Sequence, residues 1–179
     1  MYTIFLADGF EEIEAISVID IMRRSDLDIK IISIYDRLEI VGAHDIIVKA
    51  DLSIHEVEST EVSGIILPGG MPGTINLGKS KELLELLDEA YRSKKMIAAI
   101  CAAPTIIRDN KLFPGFSLTS YPSYKDEFPN NNYHEVDVVR AANLITSRGA
   151  GTAGEFGFAI VDYINGEGAS ADLKDAMVY

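Results

Sequence analysis

Four short apolar runs in the first hundred residues alternate with segments of helical periodicity, and this alternation constrains the fold more than any other feature. The apolar runs have the length and composition of buried strands, and they cover Tyr2–Ala7, Ile29–Ile34, Val62–Leu67 and Met96–Ile100. Amphipathic helices are predicted at Phe10–Arg24 and Lys81–Arg92. Strands that alternate with helices form a mainly parallel sheet covered on both faces, so an α/β sandwich is expected.

The rest of the chain predicts shorter elements around this core. Leu38–Val41 and Ile46–Val48 flank a turn with Gly42 and predict a hairpin. The other expected strands are Leu118–Ser120, Val136–Val139 and Leu144–Thr146, and the other expected helices are Ala102–Arg108, Thr152 to about Ile164, and Ala169–Ala176. Asp8 is expected to cap the first helix, and Thr152 with Glu155 has the spacing of a capping box. No repeat or linker divides residues 1–179, which predicts a single domain.

The net charge of −12 limits the partners that this chain can have. Nucleic acids and anionic membrane surfaces attract basic proteins, so neither is expected as a partner. No apolar run reaches the length of a membrane span, and the N-terminus lacks the basic region of a signal peptide. The single cysteine cannot form an internal disulfide, which favours a reducing cytoplasm.

Cys101 is the main candidate for chemistry. It follows the strand Met96–Ile100 directly and precedes a predicted helix with Pro104 in its first turn. This is the setting of a nucleophile elbow, where free backbone N–H groups and the positive end of the helix dipole favour a thiolate over a thiol. A buried cysteine also often behaves as an inert hydrophobe, and the corner alone does not decide between the two interpretations.

Glu14 is the candidate partner acid. It shares a helix face with Val18 and Ile21, so its carboxyl group belongs to an apolar stripe. In one interpretation the head group lies at the edge of the stripe and reaches water. In the other it is a buried acid with a raised pKa, which donates a hydrogen bond while it is protonated.

Several segments that follow predicted strands can meet at one edge of the sheet. They are Asp8–Glu14, Gly69–Gly73, Cys101, Ser120–Tyr121 and Ser147–Thr152. Reactive groups of α/β folds gather at the carboxyl ends of the strands, and this favours a functional role for Cys101 and Glu14. The glycine-rich turn Gly69–Gly73 fits neither a dinucleotide fingerprint nor a P-loop, so no phosphate site is expected.

Four segments, in this order along the chain, resemble the ThiJ/PfpI superfamily and in particular its parkinsonism-associated deglycase branch. They are ADGFEEIEAISVIDIMRRS (7–25), LPGGMPG (67–73), AAICAAPT (98–105) and LITSRGAGT (144–152). The resemblance implies a flavodoxin-like three-layer sandwich with a mainly parallel sheet, as in class I glutamine amidotransferases. It also implies a homodimer whose contact involves the first helix and the hairpin region.

By motif position, the resemblance assigns Cys101 to the family's nucleophile and Glu14 to its protonated partner acid. Gly70 and Ala102 match the residues whose backbone N–H groups form an oxyanion pocket. Arg148 matches an arginine of the loop near that pocket.

The chain departs from the family pattern where a histidine is expected. The protease-like and amidotransferase-like branches have a histidine directly after the cysteine, where this chain has Ala102. The deglycase branch can place a histidine before a proline in the loop after the elbow, where this chain has Tyr121 followed by Pro122. The three histidines, His44, His55 and His134, lie beside none of the matched motifs, so neither a Cys–His pair nor a metal site is expected.

These residues favour a redox-responsive protein whose Cys101 is oxidised by peroxide. The alternative is an enzyme that acts on small aldehydes, which resembles the family's glyoxalase and deglycase activity. In that reaction Cys101 would add to the carbonyl group, two backbone N–H groups would stabilise the oxyanion, and Tyr121 would hydrogen-bond the substrate. A peptidase or amidase is least favoured because the histidine is missing, and no cofactor is expected.

Overall fold

The computed structural model describes residues 1–179 and contains eleven strands and six α-helices. The strands are β1 (Tyr2–Leu6), β2 (Ile29–Ser33), β3 (Glu39–Val41), β4 (Ile47–Lys49), β5 (Leu52–Ser53), β6 (Gly64–Leu67), β7 (Met96–Ile100), β8 (Ser117–Leu118), β9 (Asn132–Tyr133), β10 (Val138–Ala141) and β11 (Leu144–Ser147). The helices are α1 (Glu12–Arg24), α2 (Gly73–Leu77), α3 (Lys81–Arg92), α4 (Pro104–Asp109), α5 (Ala153–Asn165) and α6 (Ala171–Ala176). None of them combines the length and the apolar character that a membrane crossing requires.

Seven strands form one sheet in the order β10-β11-β7-β6-β1-β2-β5. Neighbouring strands are parallel except for β10 and β11, which are antiparallel. The chain leaves β1 for β2 on one side and later returns to β6 on the other, so the strand order reverses beside β1. Ligands of open α/β sheets bind at the carboxyl ends of the strands near such a reversal.

Helices cover both faces of the sheet, because alternate side chains of the central strands point to opposite sides. Ile4 and Leu6 of β1 belong to one core with residues of α1 and α5, whereas Phe5 belongs to a second core with α3 and α4. Helices α1 and α5 pack closely, since an added Cβ at Gly157 would lie 2.9 Å from Cδ1 of Ile21. The predicted flavodoxin-like three-layer sandwich with a mainly parallel sheet is confirmed.

The predicted elements all occur, with ends within two residues of the expected bounds. β7 and α3 have the expected bounds, and β3 and β4 form the expected antiparallel hairpin. The short elements α2, β5 and β9 were not predicted.

The predicted cap at Asp8 is wrong, and Thr152 takes the N-cap position of α5 without forming the predicted capping box. Glu11 takes the N-cap position of α1, whereas Asp8 accepts the N–H of Val41 at 3.0 Å and pairs with Arg37. The side chain of Thr152 bonds to the 147–149 turn, and it makes no capping hydrogen bond to α5. Both side chains find partners in the tertiary structure that the local sequence does not show.

Candidate active site

Cys101 forms the sharp corner between β7 and α4. Its φ of 63° lies in the left-handed region, which non-glycine residues rarely adopt and which costs on the order of 1–3 kcal/mol. Its backbone N–H donates to the carbonyl oxygen of Ser147 at 3.0 Å, and its own carbonyl oxygen accepts the N–H of Tyr121 at 2.8 Å. The expected strand–turn–helix corner is therefore present. α4 has six residues, and Ala103 is its N-cap.

Glu14 is buried, with 1% of its surface exposed, which confirms the interpretation as a buried acid. Its Oε2 accepts the backbone N–H of Gly69 at 2.7 Å. Its Oε1 is shielded from solvent and has no hydrogen-bond partner in the protein. An added Cβ at Gly149 would lie 3.9 Å from Sγ of Cys101 and 4.0 Å from this Oε1. The unpartnered carboxyl oxygen and the thiol therefore border the same small space.

Two glycines allow the acid and the thiol to approach each other. An added Cβ at Gly69 would lie 2.6 Å from Cβ of Cys101 and 2.7 Å from Oε2 of Glu14, so a larger residue does not fit there. Gly70 has a φ of 91°, which favours glycine. The backbone N–H groups of Ala102 and Gly70 act on the sulfur and lower its pKa. Their role in an oxyanion pocket stays a prediction.

Burial is the main influence on the pKa values of this pair. It raises the pKa of Glu14 to about 7. Burial, followed by the negative charge of Glu14, raises the pKa of Cys101 to about 12, and the N–H groups of Ala102 and Gly70 do not outweigh it. The expectation that the corner alone favours a thiolate is therefore wrong while Glu14 is ionised, because two negative charges would then face each other in a buried site.

Tyr121, Arg148 and Gly149 line a cavity of about 450 Å³. Cys101 does not line this cavity, but an added Cβ at Gly149 would lie 3.9 Å from its Sγ, so the cavity is next to the thiol. The ring of Tyr121 is about half exposed, and Arg148 is half-buried. The structure thus brings all six predicted site residues to one edge of the sheet, namely Cys101, Glu14, Gly70, Ala102, Tyr121 and Arg148. Their chemical roles stay predictions.

No histidine contacts Cys101. The three histidines instead lie beside other side chains: His44 beside Glu12, His55 beside Asp36 and His134 beside Ser117. The groups that act on the sulfur are a carboxyl group and two backbone N–H groups. The arrangement is therefore a Cys–acid pair without a Cys–His pair.

A second cluster of titratable groups, which the sequence analysis missed, lies at the start of α1. Ligand-type atoms of Glu11, Glu12 and His44 lie within 4.8 Å of one another. The carboxylate of Glu12 accepts the backbone N–H of His44 at 2.7 Å and lies 2.8 Å from its ring Nδ1. Both oxygens of Glu12 are therefore satisfied within the protein. The bridge between Phe10 and Gly42 brings the hairpin to the helix, and no spacing in the sequence indicates it.

The chain is similar to several known proteins. The profile of the DJ-1/PfpI family matches residues 2–163. Protein dj-1beta of Drosophila melanogaster is 38% identical over 92% of this chain and 89% of its own length. The Parkinson disease protein 7 homolog of Danio rerio is 30% identical over 98% of this chain and 95% of its own. The solved structure of oxidised DJ-1 from Toxoplasma gondii covers 99% of this chain and 97% of its own, with 30% identity and a TM-score of 0.95.

The sequence resemblance implied a protein of this class, namely an α/β sandwich with a cysteine at the elbow and a buried acid beside it. The family match over residues 2–163 covers most of the chain and includes every element that contributes to the site. The chain belongs to the DJ-1/PfpI family.

Proposed function

We propose that the protein is a reactive-cysteine protein that responds to oxidants through Cys101. The observation that carries this proposal is Oε1 of Glu14, a buried carboxyl oxygen that faces the sulfur and has no partner. When it is protonated, Oε1 can donate a hydrogen bond to a thiolate or to an oxygen bound to sulfur, which satisfies the atom. The N–H groups of Gly70 and Ala102 supply two further donors to the same sulfur.

The chemistry requires peroxide as the only co-reactant. The thiolate attacks one peroxide oxygen, the O–O bond breaks, and sulfur loses two electrons while the peroxide is reduced to water, which gives a sulfenate. A second peroxide gives a sulfinate and a second water in the same way. The sulfinate keeps one negative charge, which the three donors would stabilise. The similar Toxoplasma gondii protein is described in an oxidised form, which supports the proposal.

In this scheme Glu14 holds the proton while the sulfur is ionised. Its pKa of about 7 leaves it partly protonated near neutral pH. A neutral Glu14 no longer raises the pKa of Cys101 through its charge, and its O–H is free to donate to the sulfur. The negative charge by which Glu14 opposes ionisation of the thiol is thus removed.

Mass spectrometry of the peptide that contains Cys101, after treatment with dilute peroxide, tests the proposal. We expect the folded wild type to gain two oxygen atoms on this peptide and Glu14→Leu to gain fewer, because the variant lacks the carboxyl donor. Glu12→Gln is the matched control, since Glu12 is a buried acid of the same helix turn whose oxygens bond to His44. If Cys101 stays reduced in the folded protein and reacts only after unfolding, the proposal is wrong.

The thiol pKa, followed through the ultraviolet absorbance of the thiolate, tests the proton assignment. If protonated Glu14 donates to the sulfur, Glu14→Leu raises the pKa of Cys101, because a stabilising donor is lost. A lower pKa in Glu14→Leu would show that Glu14 is ionised beside the thiol, which contradicts the scheme.

A lone reactive thiol also leads us to propose the cytoplasm as the location. Cys101 is the only cysteine, and it is free. A reducing compartment keeps such a thiol available until an oxidant reaches it. Fractionation of cells that express the protein checks this location.

The cavity beside Cys101 favours a second candidate function, a cofactor-independent enzyme that acts on small aldehydes. The thiolate would attack the carbonyl carbon, the π electron pair would move to oxygen, and Glu14 would protonate that oxygen to give a hemithioacetal. The N–H groups of Gly70 and Ala102 would stabilise the oxyanion, and Tyr121 would hydrogen-bond the substrate. Equal consumption of methylglyoxal by the wild type and by Cys101→Ser would contradict this function.

We further propose that two copies of the chain associate through α1 and the β3–β4 hairpin. Four exposed isoleucines support this contact, namely Ile13 and Ile16 on α1 and Ile46 and Ile47 at the hairpin, with 42 to 61% of their surface accessible. Sedimentation equilibrium is expected to show a dimer for the wild type and a monomer for Ile13→Glu combined with Ile47→Glu. Ile75→Glu, on α2, is the matched control and should leave the dimer intact. A monomeric wild type would contradict the contact.

A further inference from the structure

The wall of the cavity beside Cys101 contains a guanidinium group without a carboxylate partner. The chain has seven arginines, and six of them form ion pairs: Arg23, Arg24, Arg37, Arg92, Arg108 and Arg140. Arg148 forms neither an ion pair nor a side-chain hydrogen bond, although the chain has 28 acidic and 16 basic residues. An arginine that stays unpaired in so acidic a protein is available to a ligand.

Arg148 lines a cavity that lies next to the thiol of Cys101. Arg148 and Gly149 follow β11 directly, and both line the cavity of about 450 Å³. An added Cβ at Gly149 would lie 3.6 Å from the ring of Tyr121 and 3.9 Å from Sγ of Cys101. The wall of the cavity therefore comes close to the sulfur at Gly149, the residue next to Arg148.

The nearby acids do not neutralise Arg148. Glu135 is bonded to Lys125, which is the main cause of its lowered pKa, and the charge of Arg148 lowers that pKa further. Asp137 lines the cavity but forms no ion pair with Arg148. Arg148 is the only basic residue of the cavity wall. A single guanidinium group has the geometry to bind one carboxylate through two parallel hydrogen bonds.

We propose that Arg148 makes this cavity selective for small aldehydes that carry a carboxylate, with glyoxylate as the simplest example. This inference rests on the aldehyde chemistry proposed for Cys101. A guanidinium group binds a carboxylate through two parallel N–H bonds, which fixes the orientation of the ligand as well as its position. The aldehyde carbon beside the carboxylate is then directed toward the sulfur.

The covalent step remains a simple addition. The thiolate forms a bond to the aldehyde carbon, the π electron pair of the carbonyl moves to oxygen, and that oxygen takes the proton of Glu14. The carboxylate takes no part in the bond changes, and no oxidant or reductant is needed. Arg148 therefore acts by positioning the ligand.

Alkylation of Cys101 by iodoacetate and by iodoacetamide tests the selectivity, because the two reagents differ in one carboxylate beside the reacting carbon. The measured quantity is the ratio of the two rates. We expect Arg148→Gln to lower the iodoacetate rate about fivefold, as for loss of one screened charge contact, and to leave the iodoacetamide rate unchanged. Arg140→Gln is the matched control, since Arg140 pairs with Glu167 and lines no part of the cavity.

An unchanged ratio in Arg148→Gln would overturn the proposal. If neither reagent alkylates the folded protein, the reactive-thiol proposal fails, and a binding measurement then decides the question of selectivity. In Cys101→Ser, glycolate should shift the backbone amide NMR signals of residues 148 and 149 more than its neutral analogue glycolamide does, and Arg148→Gln should remove the difference. Equal shifts by glycolate and glycolamide would contradict a carboxylate site.

Discussion

Glu12 and Glu14 lie in the same turn of α1 and are almost equally buried, with 5% and 1% of their surface exposed, yet their pKa values move in opposite directions. For Glu12, burial favours the neutral acid, but the hydrogen bonds from the ring and backbone of His44 outweigh it and lower the pKa. For Glu14, burial prevails and raises the pKa to about 7. Both lie in the first turn of α1, so nearness to the helix N-terminus does not explain the difference.

The number of donors that reach each carboxyl group explains the difference. Both oxygens of Glu12 meet groups of His44, one of which can carry a positive charge. Glu14 receives one backbone N–H from Gly69, and its other oxygen has no partner. A buried acid whose hydrogen bonds are complete has a structural role. The incomplete acid retains a site for a proton, and that site faces the thiol of Cys101.

The largest expected effect concerns the stability of Glu14→Gln. Because the folded protein raises the pKa of Glu14 from 4.5 to about 7, the stability linked to its proton is fully present below about pH 4.5 and is lost as the pH rises through about 7. The full loss is about 3 kcal/mol. Glu14→Gln avoids it, so the variant should be more stable than the wild type by up to about 3 kcal/mol at pH ~8.5.

Urea unfolding of both proteins between pH ~4.5 and ~8.5 measures this difference. The free energies of unfolding should diverge as the pH rises. Parallel curves across this range would show that Glu14 has an ordinary pKa, and the contrast with Glu12 would then be lost.

Glu12→Gln should have the opposite sign and a smaller effect. The substitution removes the charge that pairs with His44 and leaves the ring nitrogen without its carboxylate. We expect the variant to lose about 1.5 kcal/mol of stability at neutral pH, as for one hydrogen bond to a charged group. The same urea experiment at pH ~7 checks it. If both glutamine variants are stabilised, completeness of hydrogen bonding does not distinguish the two acids.

The sequence predicts the fold well where the signal is local. The apolar run Met96–Ile100 and the amphipathic segment Lys81–Arg92 have the bounds of β7 and α3, because periodicity alone decides them. The two-residue strands β5 and β9 have too few residues for any periodicity, and pairing with distant strands defines them. The helix α2 follows a glycine- and proline-rich turn, whose composition indicates only a loop.

The same distinction holds for the site. Cys101 and Glu14 were found because a strand-to-helix corner and an apolar helix face are local patterns. The contact of His44 with Glu12 depends on the hairpin lying against Phe10, and no local pattern contains it. The predicted direction of the pKa shift of Cys101 was wrong, because the sequence does not show how deeply the thiol is buried or that the charge of Glu14 lies beside it.

The smallest expected effect comes from the exposed partner of Glu12. The hydrogen bond to Glu12 and the charge of Glu11 raise the pKa of His44, whose side chain is 67% exposed. The stability linked to its proton is therefore present below the ordinary histidine pKa near 6.5 and is lost as the pH rises through the raised value. His44→Gln should lower the melting temperature slightly at pH ~6, and less at pH ~9 or in high salt. His55→Gln is the matched control, because its partner Asp36 is 94% exposed, and it should change little at any pH. If the decrease in melting temperature of His44→Gln grows with pH, the neutral ring of His44 stabilises Glu12. The explanation of the contrast between Glu12 and Glu14 by charge would then be wrong.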